Sequence, residues 1–195
     1  MRTPPRPKPL RSALFALTGF GNAALTALSR ANLTPDFVVT RAEPGCFPHY
    51  DEEPLPALAH GSACPASWIS KARLCCGAAI WMSSLSRLII ASSRRRSWTA
   101  SPGPSICIRL CCPATRGPNP FYWVIRNGEA RTGVTAHFLT PAIDAGEVLW
   151  SESLDVAIDE TQGSLRRRLA LLAGRGAVSV VTDVAKDAVT NATTE

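Results

Sequence analysis

The chain has 195 residues, 46% of them hydrophobic and 18% charged, with 21 Lys and Arg against 15 Asp and Glu, 7 Cys, 16 Pro and 13 Gly. This suits one ordinary globular domain, or one with a small appendage, and excludes a disulfide miniprotein, a collagen-like chain and a wholly disordered one. Every apolar stretch is broken by Arg, Ser or Gly short of the roughly 18 to 20 residues a spanning helix needs, so no transmembrane segment is expected.

The first 35 residues contain no acid, and Arg2, Arg6, Lys8 and Arg11 precede an apolar stretch from Ala13 to Leu28, a pattern that imitates a signal or transit peptide. A different reading fits the residues better. Ala13 to Leu17 is a short apolar run, Thr18-Gly19-Phe20-Gly21-Asn22 is a glycine turn, and Ala23, Ala24, Leu25, Ala27 and Leu28 follow at helical density. Strand, turn and helix in that order put free helix-start amides where an anionic ligand could meet them. Asn32 and Pro35 then punctuate a second run, Phe37-Val38-Val39-Thr40, short and rich in β-formers as a buried parallel strand is. After a proline-rich loop through Pro44 and Pro48, Leu55 to His60 resumes helical spacing.

Farther along, Asn119 can cap a helix that carries Pro120 in its first turn and Phe121, Trp123, Val124 and Ile125 as apolar residues, ending at Asn127-Gly128. Gly133 to Leu139 reads as a strand with Val134, Ala136 and Phe138 on one face and Thr135 and His137 on the other. A turn over Thr140 to Gly146 separates it from Val148-Leu149-Trp150, a further strand. Ser164 starts an amphipathic helix with Leu165, Leu169 and Leu172 inward and Arg166, Arg167 and Arg168 outward on a solvated face; Gly174 and Gly176 are expected to interrupt it.

Between these parts lies a compositionally foreign window. No Asp or Glu occurs between Glu53 and Glu129, and six of the seven cysteines (Cys64, Cys75, Cys76, Cys107, Cys111, Cys112) fall within residues 61–115. Seven basic residues lie there too, so the rest of the chain is close to neutral and the net +6 is local. The cysteines lack the Cys-x-x-Cys spacing that structural zinc prefers, and Arg94-Arg95-Arg96 beside Trp98 is too small a cluster to make a nucleic-acid interface. A metal cluster and a basic nucleic-acid binder are therefore set aside.

Arg116-Gly117-Pro118-Asn119-Pro120-Phe121-Tyr122-Trp123, Asn127-Gly128-Glu129, Thr132-Gly133-Val134-Thr135-Ala136-His137 and Ile143-Asp144-Ala145-Gly146-Glu147-Val148-Leu149, in that order and spacing, resemble the formyltetrahydrofolate-dependent formyltransferase family, in particular the N-terminal domain of methionyl-tRNA formyltransferase-like members. Thr18-Gly19-Phe20-Gly21-Asn22, Gly163-Ser164-Leu165 and Arg168-Leu169-Ala170 fit that family's first turn and last helix. The resemblance covers residues 13–60 and 116 to about 182 and implies an α/β, Rossmann-like fold: a mainly parallel sheet with helices on both faces. It divides the chain into a basic extension (1–12), a catalytic-type domain (13–185) and a tail (186–195).

The family's Asn-x-His strand motif, which precedes Pro-Ser-Leu-Leu-Pro, is absent; Ser105 to Thr115 stands in its place. Codon degeneracy offers the reason. Reading the third base of each codon with the first two of the next, Cys111 into Cys112 must give Leu, Cys107 into Ile108 gives His or Tyr, and Ser105 into Ile106 permits Asn. That frame admits Asn-Leu-His-Pro-Ser-Leu-Leu-Pro-Arg-Tyr, joining directly onto Arg116-Gly117. We therefore expect residues from about 61 to 115 to be translated out of frame between two compensating frameshifts, in the gene or in its sequencing, leaving the central part of the sheet disrupted, the chain poorly folded and the catalytic pair missing.

The resemblance further implies transfer of a formyl group from 10-formyltetrahydrofolate, the co-substrate, to a primary amine, without a metal. Of three side chains the family supplies, only Asp144 survives; it would hold a water and the catalytic His and assist proton removal from the amine. Its bland alternative is a turn residue accepting backbone hydrogen bonds. Thr140, Pro141, Ala142 and Ile143 correspond to the family's pterin-contacting loop, and Thr135 and His137 would line the site, although a His satisfied within the sheet is an equal reading. The acceptor is a small amine or an aminoacyl-tRNA, the former favoured because the chain ends soon after the last helix. No membrane and no stable nucleic-acid partner is expected, and a cytoplasmic location is. The alternative is a non-catalytic, pseudogene-like product or residual folate-binding fragment.

Overall fold

Arg11–Phe15 forms β1, whose run Ala13-Leu14-Phe15 is buried on both faces, as an inner strand of an α/β sheet must be. The computed structural model describes residues 11–40, 55, 59, 66–68, 87–93, 105–110, 120–140 and 146–192. A turn at Thr18 and Gly19 leads from β1 into helix α1 (Phe20–Arg30), and β2 (Phe37–Thr40) returns parallel to β1, pairing Ala13 with Phe37 and Phe15 with Val39. Helical Leu55 is fully buried and donates its backbone N–H to Thr18 Oγ1 at 3.2 Å. The expected opening of strand, glycine turn, helix and strand is present.

The sheet then continues through the foreign window. It has seven strands in the order β3-β2-β1-β4-β5-β6-β7, with β3 at Ala66–Trp68, β4 at Arg87–Ser93, β5 at Ser105–Leu110, β6 at Arg131–Phe138 and β7 at Val148–Asp155. The α/β class holds. Pairing direction differs from the expectation: the β1–β2 and β2–β3 pairings are parallel, while β4 runs antiparallel to β1 and the four pairings from β1–β4 to β6–β7 are antiparallel. The sheet is thus mixed instead of mainly parallel. Nor are central strands missing as expected, because Leu88 to Ala91 and Ile106 to Ile108 are apolar, β-forming runs whatever their coding frame.

Helices α1, α2 (Pro120–Arg126) and α3 (Gln162–Ala192) share one core with Leu14, Val38, Ile106, Ile108, Val134 and Ala136. The side chains of Phe15 and Cys107, which alternate with these, are buried on the opposite face. In α3, Leu165, Leu169 and Leu172 are all buried, following the predicted stripe.

Two expectations about α3 are corrected. Gly174 and Gly176 do not interrupt it; the helix runs through both to Ala192. They are close-approach positions. A Cβ on Gly174 would stand 2.9 Å from the Ala23 carbonyl oxygen of α1, and one on Gly176 would stand 2.5 Å from Cζ3 of Trp150. The cost of glycine in a helix is offset by what its missing side chain admits. The Arg triplet is not one solvated face either. Arg167 is exposed, but the Arg166 guanidinium lies 5.3 Å from the ring centroid of buried Phe121, and Arg168 is paired with Glu160.

Candidate functional site

The central segment of the candidate site is β6 with its neighbours. Alternation puts Val134 and Ala136 in the core and Thr135 and His137 on the other face, as the sequence predicts. On that face β5 presents Cys107 directly opposite His137, and Arg109 is paired in register with Thr135. Cys107 is 3% exposed and His137 5% exposed. The β6–β7 ladder shifts register between Ala136 and His137, a bulge of the kind that re-aims a side chain.

His137 Nδ1 donates to the Phe138 carbonyl oxygen at 2.9 Å, so Nδ1 carries a proton. Thr135 Oγ1 and Ser151 Oγ share a hydrogen bond of 3.2 Å at the exposed end of the same face. Thr135 and His137 thus share one face, the first half-buried and the second buried. His137 also has a local hydrogen bond, in keeping with the second reading of a His satisfied within the sheet.

Thr140 follows the end of β6 and is exposed. Pro141, Ala142, Ile143 and Asp144 lie outside the described residues, but the base of their loop does not. Phe138 N donates to the Glu147 carbonyl at 3.0 Å, and a Cβ on Gly146 would run into the Phe138 carbonyl. Only glycine allows the two stems to close this tightly. The stems Phe138 and Glu147 are therefore held together at the end of β6 that bears His137.

Sequence reasoning missed a cluster at the start of α3. Thr161 Oγ1 accepts the Ser164 N–H at 3.1 Å while Ser164 Oγ accepts the Thr161 N–H at 3.0 Å, a reciprocal cap. Ser164 Oγ also donates to Glu160, whose side chain is only 4% exposed, and Arg168 binds that carboxylate and the Asp155 carbonyl oxygen (3.1 Å). The Ser164 hydrogen bond, ahead of the Ala157 N–H and Arg168, holds the Glu160 carboxyl below its ordinary value of 4.5 against the opposing effect of burial. The signal was available: Glu160, Ser164 and Arg168 recur every four residues. This cluster ties β7 to α3 and supports the fold; its groups face no site residue in the described contacts.

Asn119, Arg94 to Arg96 and Trp98, and every cysteine except Cys107, also fall outside the described residues. Among the described residues no three His, Cys, Asp or Glu are grouped to hold a metal, and no helix is long and apolar enough to cross a membrane. Among the described residues, Cys107 and Thr135 share the face of His137 and neither carries the amide that the resemblance implies for a formyl oxygen, so no transfer step is derived from this geometry.

Residues 110–181 match the family model described as formyl transferase. The chain is 39% identical over 57 residues to the methionyl-tRNA formyltransferase of Alkaliphilus oremlandii, covering 29% of this chain and 18% of that protein. It is also 39% identical over 72 residues to that of Acidithiobacillus ferrooxidans, covering 37% and 23%. The matches thus span about a fifth of the length of these curated relatives. In fold it is similar to the phosphoribosylglycinamide formyltransferase of Anaplasma phagocytophilum (TM-score 0.58, 15% identity, 90% of this chain and 85% of that one). The formyltetrahydrofolate deformylase of Pseudomonas putida is similar too (TM-score 0.53, 16% identity, 85% and 62%). Residues 110–181 are thus similar in sequence to formyl transferases, and the wider chain shares the fold of solved formyltransferases.

Proposed function

We propose that this chain derives from a methionyl-tRNA formyltransferase-like enzyme that moves the formyl group of 10-formyltetrahydrofolate to a primary amine in the cytoplasm, and that the polypeptide as written is inactive. The observation that carries this reading is the spacing of Thr135, His137 and Asp144 within the matched residues 110–181, supported by the closed stems Phe138 and Glu147 on either side of Asp144. Asp144 is assigned the water-holding and proton-accepting role, Thr140 to Ile143 the pterin contact, and Thr135 and His137 the lining of the site. The names of the sequence relatives favour an aminoacyl-tRNA over a small amine as acceptor.

Inactivity follows from the out-of-frame reading of about 61–115, which replaces both partners of Asp144. Support comes from where the family match begins, at residue 110, near the downstream end of that window. Without those donors nothing stabilises the charge that develops on the formyl oxygen, and losing even one oxyanion donor costs about 10²–10³ in rate. A non-catalytic product is the second reading, and the same missing motif favours it.

The test is to resequence the coding DNA between the codons for Leu55 and Pro120, then to express the written and frame-restored chains and measure tetrahydrofolate release with methionyl-tRNA and small amines. Single-base changes at both ends, release by the restored chain and none by the written chain are expected. An unchanged coding sequence sinks the frame reading, and a well-folded restored chain that releases no tetrahydrofolate with any acceptor sinks the enzyme.

A further inference from the structure

We draw no further inference here: the strongest candidate, the exposed surface patch of Tyr122, Trp123 and Arg126 on helix α2, carries nothing because nothing in the structure shows what covers it.

Discussion

Replacing Gly176 with alanine sets two known effects against each other. Helix α3 runs through this position, so removing glycine gains about 1 kcal/mol of helix propensity. The new Cβ, however, would stand 2.5, 2.7 and 3.0 Å from Cζ3, Cε3 and Cη2 of Trp150. Carbon atoms prefer about 3.5–4.0 Å, so the indole has to retreat by about 1 Å. Trp150 is half-buried on β7 and paired with Ala136, which limits that retreat. Overpacking of this kind costs about 1–3 kcal/mol. The net expectation is a loss of about 0–2 kcal/mol, and the decisive quantity is the coupling to Trp150. In a Trp150→Ala background the clash disappears, and Gly176→Ala should stabilise by about 1 kcal/mol. Urea unfolding of the four chains, followed by far-ultraviolet circular dichroism, measures the cycle. A Gly176→Ala that stabilises equally in both backgrounds would refute the close approach and return Gly176 to an ordinary helical position.

Other expectations concern the core, the α3 cluster and the site. Leu169→Ala, at a fully buried position among α1, α2 and α3, should cost about 2–5 kcal/mol in the same unfolding assay; a loss below 1 kcal/mol would place Leu169 outside the core. Glu160 is held below its ordinary 4.5, so its carboxylate contributes stability that is present above that value and lost as pH falls through the lowered one. Thermal unfolding from pH 7 to pH 3 should show this loss, and Glu160→Gln should flatten it; identical slopes would remove Glu160 from the linkage. In the frame-restored chain, Asp144→Asn should slow tetrahydrofolate release about 10²–10⁴-fold with the melting temperature unchanged, and full activity would leave Asp144 a turn residue only.

Much of the fold was legible because local patterns and burial agree. The alternation of β6 placed Val134 and Ala136 inward, and the i, i+4, i+7 leucines placed the buried stripe of α3. Two kinds of information were not local. Whether a helical glycine stops a helix or admits a neighbour depends on what lies opposite, here Ala23 and Trp150, which are distant in sequence. The direction of β4 depends on the connections on either side of it, and no periodicity within Arg87–Ser93 encodes that. β7 likewise runs five residues beyond Trp150, because the alternation of Ser151, Glu152, Ser153 and Leu154 is too polar to announce a strand unless its pairing with β6 is known. The candidate site was legible only through the family resemblance of the segment that holds Thr135, His137 and Asp144, since chemistry at the end of a strand leaves no periodic trace.

Strand β5 separates what folding demands from what catalysis demands. Its core-facing residues, Ile106 and Ile108, are buried among residues of all three helices, and any apolar pair of about that size would serve there. Its other face presents Cys107 to His137, where burial asks only for a residue of fitting size. Burial reads hydrophobicity and volume, which many sequences supply; a transition state reads particular donors at particular atoms. A stretch that satisfies the sheet therefore need not carry the chemistry of a site. The ordering of β5 in the core is for that reason no argument for activity, and the two properties have to be measured separately: unfolding for the first, tetrahydrofolate release for the second.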